Sequence, residues 1–283
     1  MKFEKDSLLQ STLFAPLHAA IAKLKADQFP TLDELNALLS GRGIAVQGGS
    51  GLRFVAPQSG RLAFEAQYEP RCYLTGEVQT RRDNWHDLYN ALVWLTFPKT
   101  KSAINARHYR ALTVAEAESG RGAVRDTNTL LDESGVIVAY ADEGLADLLR
   151  NFQWRELFWQ RRAQVKSSMG FYLFGHGLYE KAMQPYVGMT GHGLLIKVEP
   201  IFFTWSLDQQ TAFLDSRVEE YLSEPQHCRS THELSPVPLL GVPGWSVDNE
   251  CSGYYDNTAY FRPGRRKFDR VESRNCKFSG KRS

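Results

Sequence analysis

The stretch TRRDNWHDLYNALVWLTFPKTKSAINARHYR, residues 80–110, predicts two consecutive helices with polar side chains of catalytic type beside an apolar face. Apolar residues recur at helical spacing through its first half, and Asp83 or Asn84 can cap that helix. Pro98 ends the pattern because proline lacks the N–H that a helix interior requires. A second helix is predicted to follow through about residue 117. The sequence therefore predicts a helical hairpin.

The polar residues of this hairpin are candidates for a catalytic site. His86 and Asn90 lie one helical turn apart, so Asn90 can position the imidazole, and Asp87 can orient it or hold a cation. Asn105 and His108 would share a face of the second helix, and antiparallel packing would bring them towards His86. The alternative is that these residues only satisfy hydrogen bonds in the core, with Asp87 favouring the helix dipole. Three further residues are predicted to bind substrate: Arg82, Trp85 and Arg107.

A second candidate site lies in FGHGLYEKAMQP, where His176 and Glu180 are spaced i, i+4 on a helix that follows a predicted strand. An imidazole and a carboxylate on one helical face can bind the same divalent metal ion. His192, in the sequence GHG, could complete a set of three metal ligands. The alternative is a structural pair, in which His176 caps the helix and Glu180 meets a basic neighbour.

The rest of the chain predicts the α+β class, with a helical N-terminal part and the helical hairpin packed on a small mixed sheet. Helical patterns occupy residues 15–25 and 31–40, the second opened by a capping box. Two short strands at 44–47 and 52–55 are predicted to pair through a glycine-rich turn. A β-hairpin is predicted around DESG, with strands 129–131 and 136–140 and a positive φ at Gly135. Helices and strands then alternate, which is typical of crossover units: helices 143–150, 154–167, 176–184 and 208–222, and strands 171–174 and 193–198.

The C-terminal part divides into an extended aromatic segment after Pro236 and a basic tail. Between residues 262 and 283 the chain has nine lysines and arginines against two acidic residues, although its overall net charge is only +2. We expect residues 266–283 to be disordered, after a main α+β domain at 61–265 and an N-terminal appendage at 1–60. The alternative for the tail is contact with nucleic acid through phosphate neutralisation, by Arg265, Arg266, Lys267, Arg270 and Arg274.

Composition places the chain among ordinary globular proteins, with 42% hydrophobic and 23% charged residues. Acidic residues near the N-terminus exclude a typical signal peptide, and no apolar run approaches the ~20 residues that span a bilayer. The four cysteines are widely spaced without a CxxC pair, which argues against a disulfide framework or a zinc ribbon. We therefore expect a soluble cytoplasmic protein without membrane association.

Four segments carry a resemblance to a known family: YLTGEVQTRRDNWHDLYNALVWLTFPKTKSAINARH at 73–108, RDTNTLLDESGVIV at 125–138, FGHGLYEKAMQPYVGMT at 174–190 and VPGWSVDNECSGYYDNTAYFRPGR at 242–265. Together they resemble the bacterial family known as domain of unknown function 3025. The resemblance implies a bacterial protein that is largely one homologous unit. It implies no activity.

Two classes of function follow from the candidate residues. The first is a metal-assisted hydrolase acting on a phosphate-containing or nucleic-acid substrate, with a divalent metal as its cofactor. The second is a non-enzymatic binding or assembly factor, in which the same residues form a buried polar network. The distance between His86 and His176 separates the two classes, because a single catalytic site requires both side chains within reach of one substrate.

Overall fold

The computed structural model describes residues 3–25, 28–113 and 121–264 and confirms the α+β class. Within these ranges the helices are α1 (Lys5–Gln10), α2 (His18–Ile21), α3 (Leu32–Ala37), α4 (Tyr68–Thr75), α5 (Trp85–Thr96), α6 (Pro98–Thr113), α7 (Arg121–Ser134), α8 (Glu143–Arg150), α9 (Arg162–Ser168), α10 (His176–Ala182) and α11 (Leu207–Ser223). The strands are β1 (Arg53–Val55), β2 (Glu77–Gln79), β3 (Gly135–Tyr140), β4 (Met169–Leu173), β5 (Thr190–Lys197) and β6 (Ser235–Pro238). None of the described helices is long and apolar enough to cross a membrane.

The main sheet is small and mixed, as the sequence predicts. Its strand order is β4-β3-β5-β6, with β3 parallel to β5 and antiparallel to β4, and β6 antiparallel to β5. Every residue of β3 is buried, because its GVIVAY sequence has no polar side chain apart from the Tyr140 hydroxyl and lies between two neighbouring strands. The strand therefore anchors the chain segments that precede and follow it.

Helix α5 forms the centre of the helical layer. Its residues from Asp87 to Leu95 are all buried, because the sequence is apolar on nearly every side of the helix. Pro98 begins α6 directly after α5, and Asp215 of α11 accepts hydrogen bonds from the backbone N–H groups of Lys99 and Thr100 at 3.1 and 2.8 Å. These bonds satisfy donors that a helix start leaves free. Burial raises the pKa of Asp215 to about 6 despite them.

The β-hairpin predicted around DESG is wrong, and the one predicted at 44–47 and 52–55 forms only in part, with the Leu52 N–H donating to the Ile44 carbonyl oxygen at 2.9 Å. Residues 129–131 belong to α7, which continues to Ser134 and leads straight into β3. Gly135 has no positive φ; a side chain there would instead collide with the Leu131 carbonyl oxygen, 2.2 Å from its Cβ position. Strand β1 pairs in parallel with β2, and the predicted partner near residue 45 contributes only one isolated bridge, from Ala45 to Gly51.

The N-terminal residues share the hydrophobic core of the main body. Phe14 packs against Tyr89 of α5 and Tyr179 of α10, with ring centroids 5.6 and 5.4 Å apart. At the other end, the aromatic segment after Pro236 also packs inward: the Tyr260 hydroxyl donates to the Met189 carbonyl oxygen at 2.8 Å. Residues 265–283, which include the predicted basic tail, lie outside the described residues.

Candidate functional site

Two histidines and a glutamate from three different helices converge on one point. His86 is the second residue of α5, His176 is the first residue of α10, and Glu133 lies in the last turn of α7. The two Nε2 atoms are 3.0 Å apart. Glu133 Oε1 lies 3.4 Å from the Nε2 of His176 and 3.8 Å from that of His86. We call these three residues the histidine cluster.

Local sequence features bring the three helices together. Asn84 caps α5 by accepting a 2.9 Å hydrogen bond from the Asp87 backbone N–H, which sets where the helix begins and directs His86. Gly175 and Gly177 flank His176, and the backbone packs so closely at Gly175 that a side chain cannot fit there. A Cβ at Gly175 would lie 2.4 Å from the backbone nitrogen of Gly135, and one at Gly177 would lie 2.6 Å from a carboxylate oxygen of Glu133. The FGHG sequence thus lets α10 begin against the end of α7.

Each histidine of the cluster faces a carboxylate with its other ring nitrogen. Glu180 Oε2 lies 3.2 Å from His86 Nδ1. Asp132 Oδ2 lies 3.7 Å from His176 Nδ1, which has no hydrogen-bond partner. A carboxylate favours the tautomer with a proton on the nitrogen that it faces. With a proton on each Nδ1, the two Nε2 atoms would present lone pairs to each other and to Glu133, an arrangement that a cation between them would stabilise.

The separations within the histidine cluster fit a metal ion. The two Nε2 atoms and Glu133 Oε1 form a triangle with sides of 3.0, 3.4 and 3.8 Å. An ion at equal distance from all three atoms would lie about 2 Å from each, which matches the bond lengths of zinc to histidine nitrogen and carboxylate oxygen. Among the described residues, His86, Glu133 and His176 form a group of three side chains of metal-ligating type whose ligand atoms all lie within 4.8 Å of one another. Two imidazoles and one carboxylate leave a coordination position open for water or substrate.

The histidine cluster forms part of the wall of a polar cavity of about 370 Å³. His108, Asp87 and Asn90 from the predicted hairpin also line this cavity. His86 and Glu133 also line a second cavity, of about 660 Å³, whose lining includes Trp85. Two of the three residues of the histidine cluster therefore border both cavities.

The predicted hairpin residues have different partners from those expected. Asn90 does not position His86; its Nδ2 donates to the Tyr68 hydroxyl at 2.7 Å. Asp87 accepts hydrogen bonds from the Arg81 side chain at 2.9 and 2.8 Å and from the Arg81 backbone N–H at 2.7 Å. Burial raises the pKa of Asp87, but the bonds to Arg81 outweigh burial and leave it below its ordinary value. Asp87 is thus committed to Arg81.

The second helix of the hairpin supplies two buried groups near the cavity. The Asn105 amide donates to the backbone carbonyl oxygen of Glu69 at 3.0 Å and also to the Glu69 carboxylate. Burial lowers the pKa of His108, so its neutral imidazole is favoured. Asn105 therefore acts on the cavity through Glu69, which is itself part of the lining.

Three predicted residues lie away from the histidine cluster. The Arg107 guanidinium donates to the carbonyl oxygen of Leu222, in the last turn of α11, at 2.7 Å and to that of His227, beyond the helix, at 2.6 Å. Arg82 lines a small separate cavity. His192 lies in β5 and does not belong to the histidine cluster. The sequence predicted His192 as the third metal ligand, but in the structure Glu133 stands in that place. Burial, followed by the charge of Lys181, lowers the pKa of His192.

Sequence reasoning missed Glu133, Asp132 and Lys101. The two acidic residues were assigned to a β-turn because DESG precedes an apolar run. The i, i+4 spacing of the buried residues Thr127 and Leu131 is a helical signal that points to α7 instead. Lys101 is only 3% exposed, and its ammonium lies 2.5 Å from Asp132 Oδ1. No feature of the sequence alone indicates this ion pair.

The comparisons with known proteins agree with the sequence resemblance. A family model described as "Protein of unknown function (DUF3025)" matches residues 52–265, a range that contains the whole histidine cluster and the whole lining of the polar cavity. No match was found among the curated proteins or among the solved structures.

Proposed function

The chain belongs to this family of proteins of unknown function, so we infer its function from the site alone and propose that it is a metal-assisted hydrolase. The observation that carries the proposal is the convergence of His86 Nε2, His176 Nε2 and Glu133 Oε1 within 3.8 Å of one another. Both outer ring nitrogens face carboxylates, as in metal sites whose ligands are oriented by a surrounding shell.

The ligand set and the cavity together support hydrolysis. A divalent ion held by three protein ligands keeps a position for water, whose pKa such an ion lowers towards neutrality. The chain's own residues hold that position at the wall of a 370 Å³ cavity, where a substrate can approach it. Glu180 orients His86 and Asp132 faces His176, so neither side chain has to reorganise when an ion binds.

The predicted phosphate-containing or nucleic-acid substrate has weaker support than the metal site. Arg81, which lines the cavity, is paired with Asp87, and Lys101 is paired with the lining residue Asp132. Contact with nucleic acid through the basic tail remains a proposal, because those residues lie outside the described ranges. Location in the cytoplasm is also a proposal; the buried free thiols of Cys72 and Cys228 are compatible with a reducing compartment.

Metal-dependent hydrolysis is the test of the proposed function. We expect protein stripped with a chelator to regain one Zn²⁺ per chain and then to hydrolyse chromogenic nitrophenyl esters, nitrophenyl phosphates or aminoacyl anilides. Glu133→Gln should reduce the rate at least about tenfold, because an amide is a weaker zinc ligand than a carboxylate. Glu65→Gln, at an exposed position, is the matched control and should keep the wild-type rate.

Two outcomes would contradict the proposal in different ways. A protein that retains no metal after dialysis against buffered Zn²⁺ has no such site, and its polar residues would then only specify the core. A protein that binds one ion but hydrolyses none of the three substrate classes is not a hydrolase of the proposed kind.

A further inference from the structure

The lining of the polar cavity is acidic. It contains four carboxyl side chains, from Glu69, Asp87, Asp132 and Glu133, and one guanidinium, from Arg81. Such a lining repels anions unless its carboxylates are neutralised. Which of the four remain available to a ligand decides what the cavity can bind.

Three of the four carboxylates already have partners. Asp87 receives two hydrogen bonds from the Arg81 side chain, at 2.9 and 2.8 Å. Asp132 pairs with Lys101 at 2.5 Å. Glu133 belongs to the histidine cluster. Neither cation is therefore free to bind an anionic ligand, and Glu69 is the remaining carboxyl of the lining.

Glu69 forms no salt bridge among the described residues, although Lys101 and Arg125 lie close enough to act on its charge. Its carboxylate accepts a hydrogen bond from Asn105. Burial raises the pKa of Glu69 to about 7, although the Asn105 hydrogen bond acts in the opposite direction. A positive group placed against this carboxylate would restore the charged form.

A second acceptor in the same lining also lacks a donor. Asn90 is only 6% exposed, its Nδ2 is used by the Tyr68 hydroxyl, and its Oδ1 has no hydrogen-bond partner. Buried polar atoms in native proteins nearly always have partners, so this acceptor calls for a donor, which a ligand in the cavity can supply. Glu69 and Asn90 both line the polar cavity.

We propose that the polar cavity binds a substrate through a cationic nitrogen group rich in N–H donors, such as an alkylammonium or an amidinium, with Glu69 as its charge partner and Asn90 Oδ1 as a second acceptor. This inference rests on the proposed function, because it assigns the substrate class of the same site. The nitrogen group occupies the acidic part of the cavity, and the bond to be hydrolysed faces the histidine cluster. Phosphate groups are disfavoured there.

The test uses full-length, zinc-loaded protein and three probes: butylamine, benzamidine and inorganic phosphate. Titration calorimetry should show that benzamidine or butylamine binds and that Glu69→Gln weakens this binding at least about tenfold, as expected for loss of a charge-assisted hydrogen bond. Glu65→Gln is the matched control and should bind the amines like the wild type. Glu69→Gln should fold normally, since it removes a desolvated charge and keeps an oxygen acceptor for Asn105.

Amine binding should also strengthen between pH 6 and pH 8 in the wild type. Glu69 ionises in this range, whereas a primary amine keeps its proton up to about pH 10. In Glu69→Gln this pH dependence should be lost. The ionisable groups that act on Glu69 come from α4, α6 and α7 and are Tyr68, Cys72, Lys101, Arg125 and Asp132.

The outcomes separate this inference from the proposed function. Zinc content is measured on every sample and should be equal in the wild type and Glu69→Gln. Full zinc occupancy without amine binding, equal amine affinity in Glu69→Gln, or tighter binding of phosphate than of either amine would each overturn the inference and leave the metal site standing. If the protein takes up no zinc but still binds amines in a way that depends on Glu69, the result would instead contradict the proposed hydrolase.

Discussion

His176→Ala is expected to abolish stoichiometric zinc binding while the chain remains folded. The substitution removes one of three ligands and leaves His86 and Glu133, whose atoms are 3.8 Å apart. Because loss of an orienting partner alone costs about 10–100-fold in metal affinity, loss of a ligand should cost more than a hundredfold. The measurement is zinc content after equilibrium dialysis, together with circular dichroism to verify the fold.

Other histidines provide the controls for this prediction. His232→Ala changes an exposed side chain and should leave zinc content at one per chain. His192→Ala should do the same, although the sequence predicted His192 as a ligand. If His176→Ala fails to fold, His86→Ala removes the equivalent ligand from a more exposed position. Zinc content unchanged in both His176→Ala and His86→Ala would rule out the cluster as a metal site.

Lys101→Met is expected to cause the largest loss of stability. Lys101 is 3% exposed and its ammonium lies 2.5 Å from Asp132 Oδ1, so the substitution leaves a buried carboxylate without its counter-ion. Burial raises the pKa of Asp132, but the pKa still lies below its ordinary value, chiefly because of the charge of Lys101, which also donates a hydrogen bond to the carboxylate. Removing one partner of a buried pair typically costs about 3–5 kcal/mol. Urea unfolding at pH 7 measures the free energy of unfolding.

A double substitution identifies the cause of that loss. Asp132→Asn combined with Lys101→Met removes both charges, and should be more stable than Lys101→Met alone because no buried charge remains unpaired. Lys197→Met is the matched control: this lysine is largely exposed beside Glu143, and its loss should change stability by less than about 0.5 kcal/mol. A loss below about 1 kcal/mol in Lys101→Met would mean that water already screens Asp132.

Periodicity predicted most of the fold, because long helices and buried strands leave strong local patterns. Helix α5, its cap at Asn84 and its end before Pro98 all agree with the sequence. The β-hairpin predicted around DESG is wrong. DESG satisfies local turn preferences, but the packing of α7 on its neighbours stabilises a helix through Ser134. A short polar sequence between two apolar runs does not distinguish a turn from the last turn of a helix.

The candidate site was predicted in pieces but not as one assembly. His86 and His176 were each identified from helical spacing, and they are 90 residues apart in the chain. Their contact depends on how α5 and α10 pack, which no local pattern encodes. Arg107 shows the converse: its helix was predicted, but its long side chain reaches a carbonyl oxygen in the last turn of α11 and not the cavity. Local spacing predicts on which face of a helix a residue lies, whereas tertiary packing determines which residues it contacts.

The position of a bound metal tests the central claim most directly. Crystals grown with Zn²⁺ and measured at energies on both sides of the zinc absorption edge will show each zinc ion as an anomalous peak. We predict one peak about 2.0–2.2 Å from His86 Nε2, His176 Nε2 and a carboxylate oxygen of Glu133. A structure at millimolar Zn²⁺ with no peak between these three residues, or with its strongest peak at another set of ligands, would contradict the account.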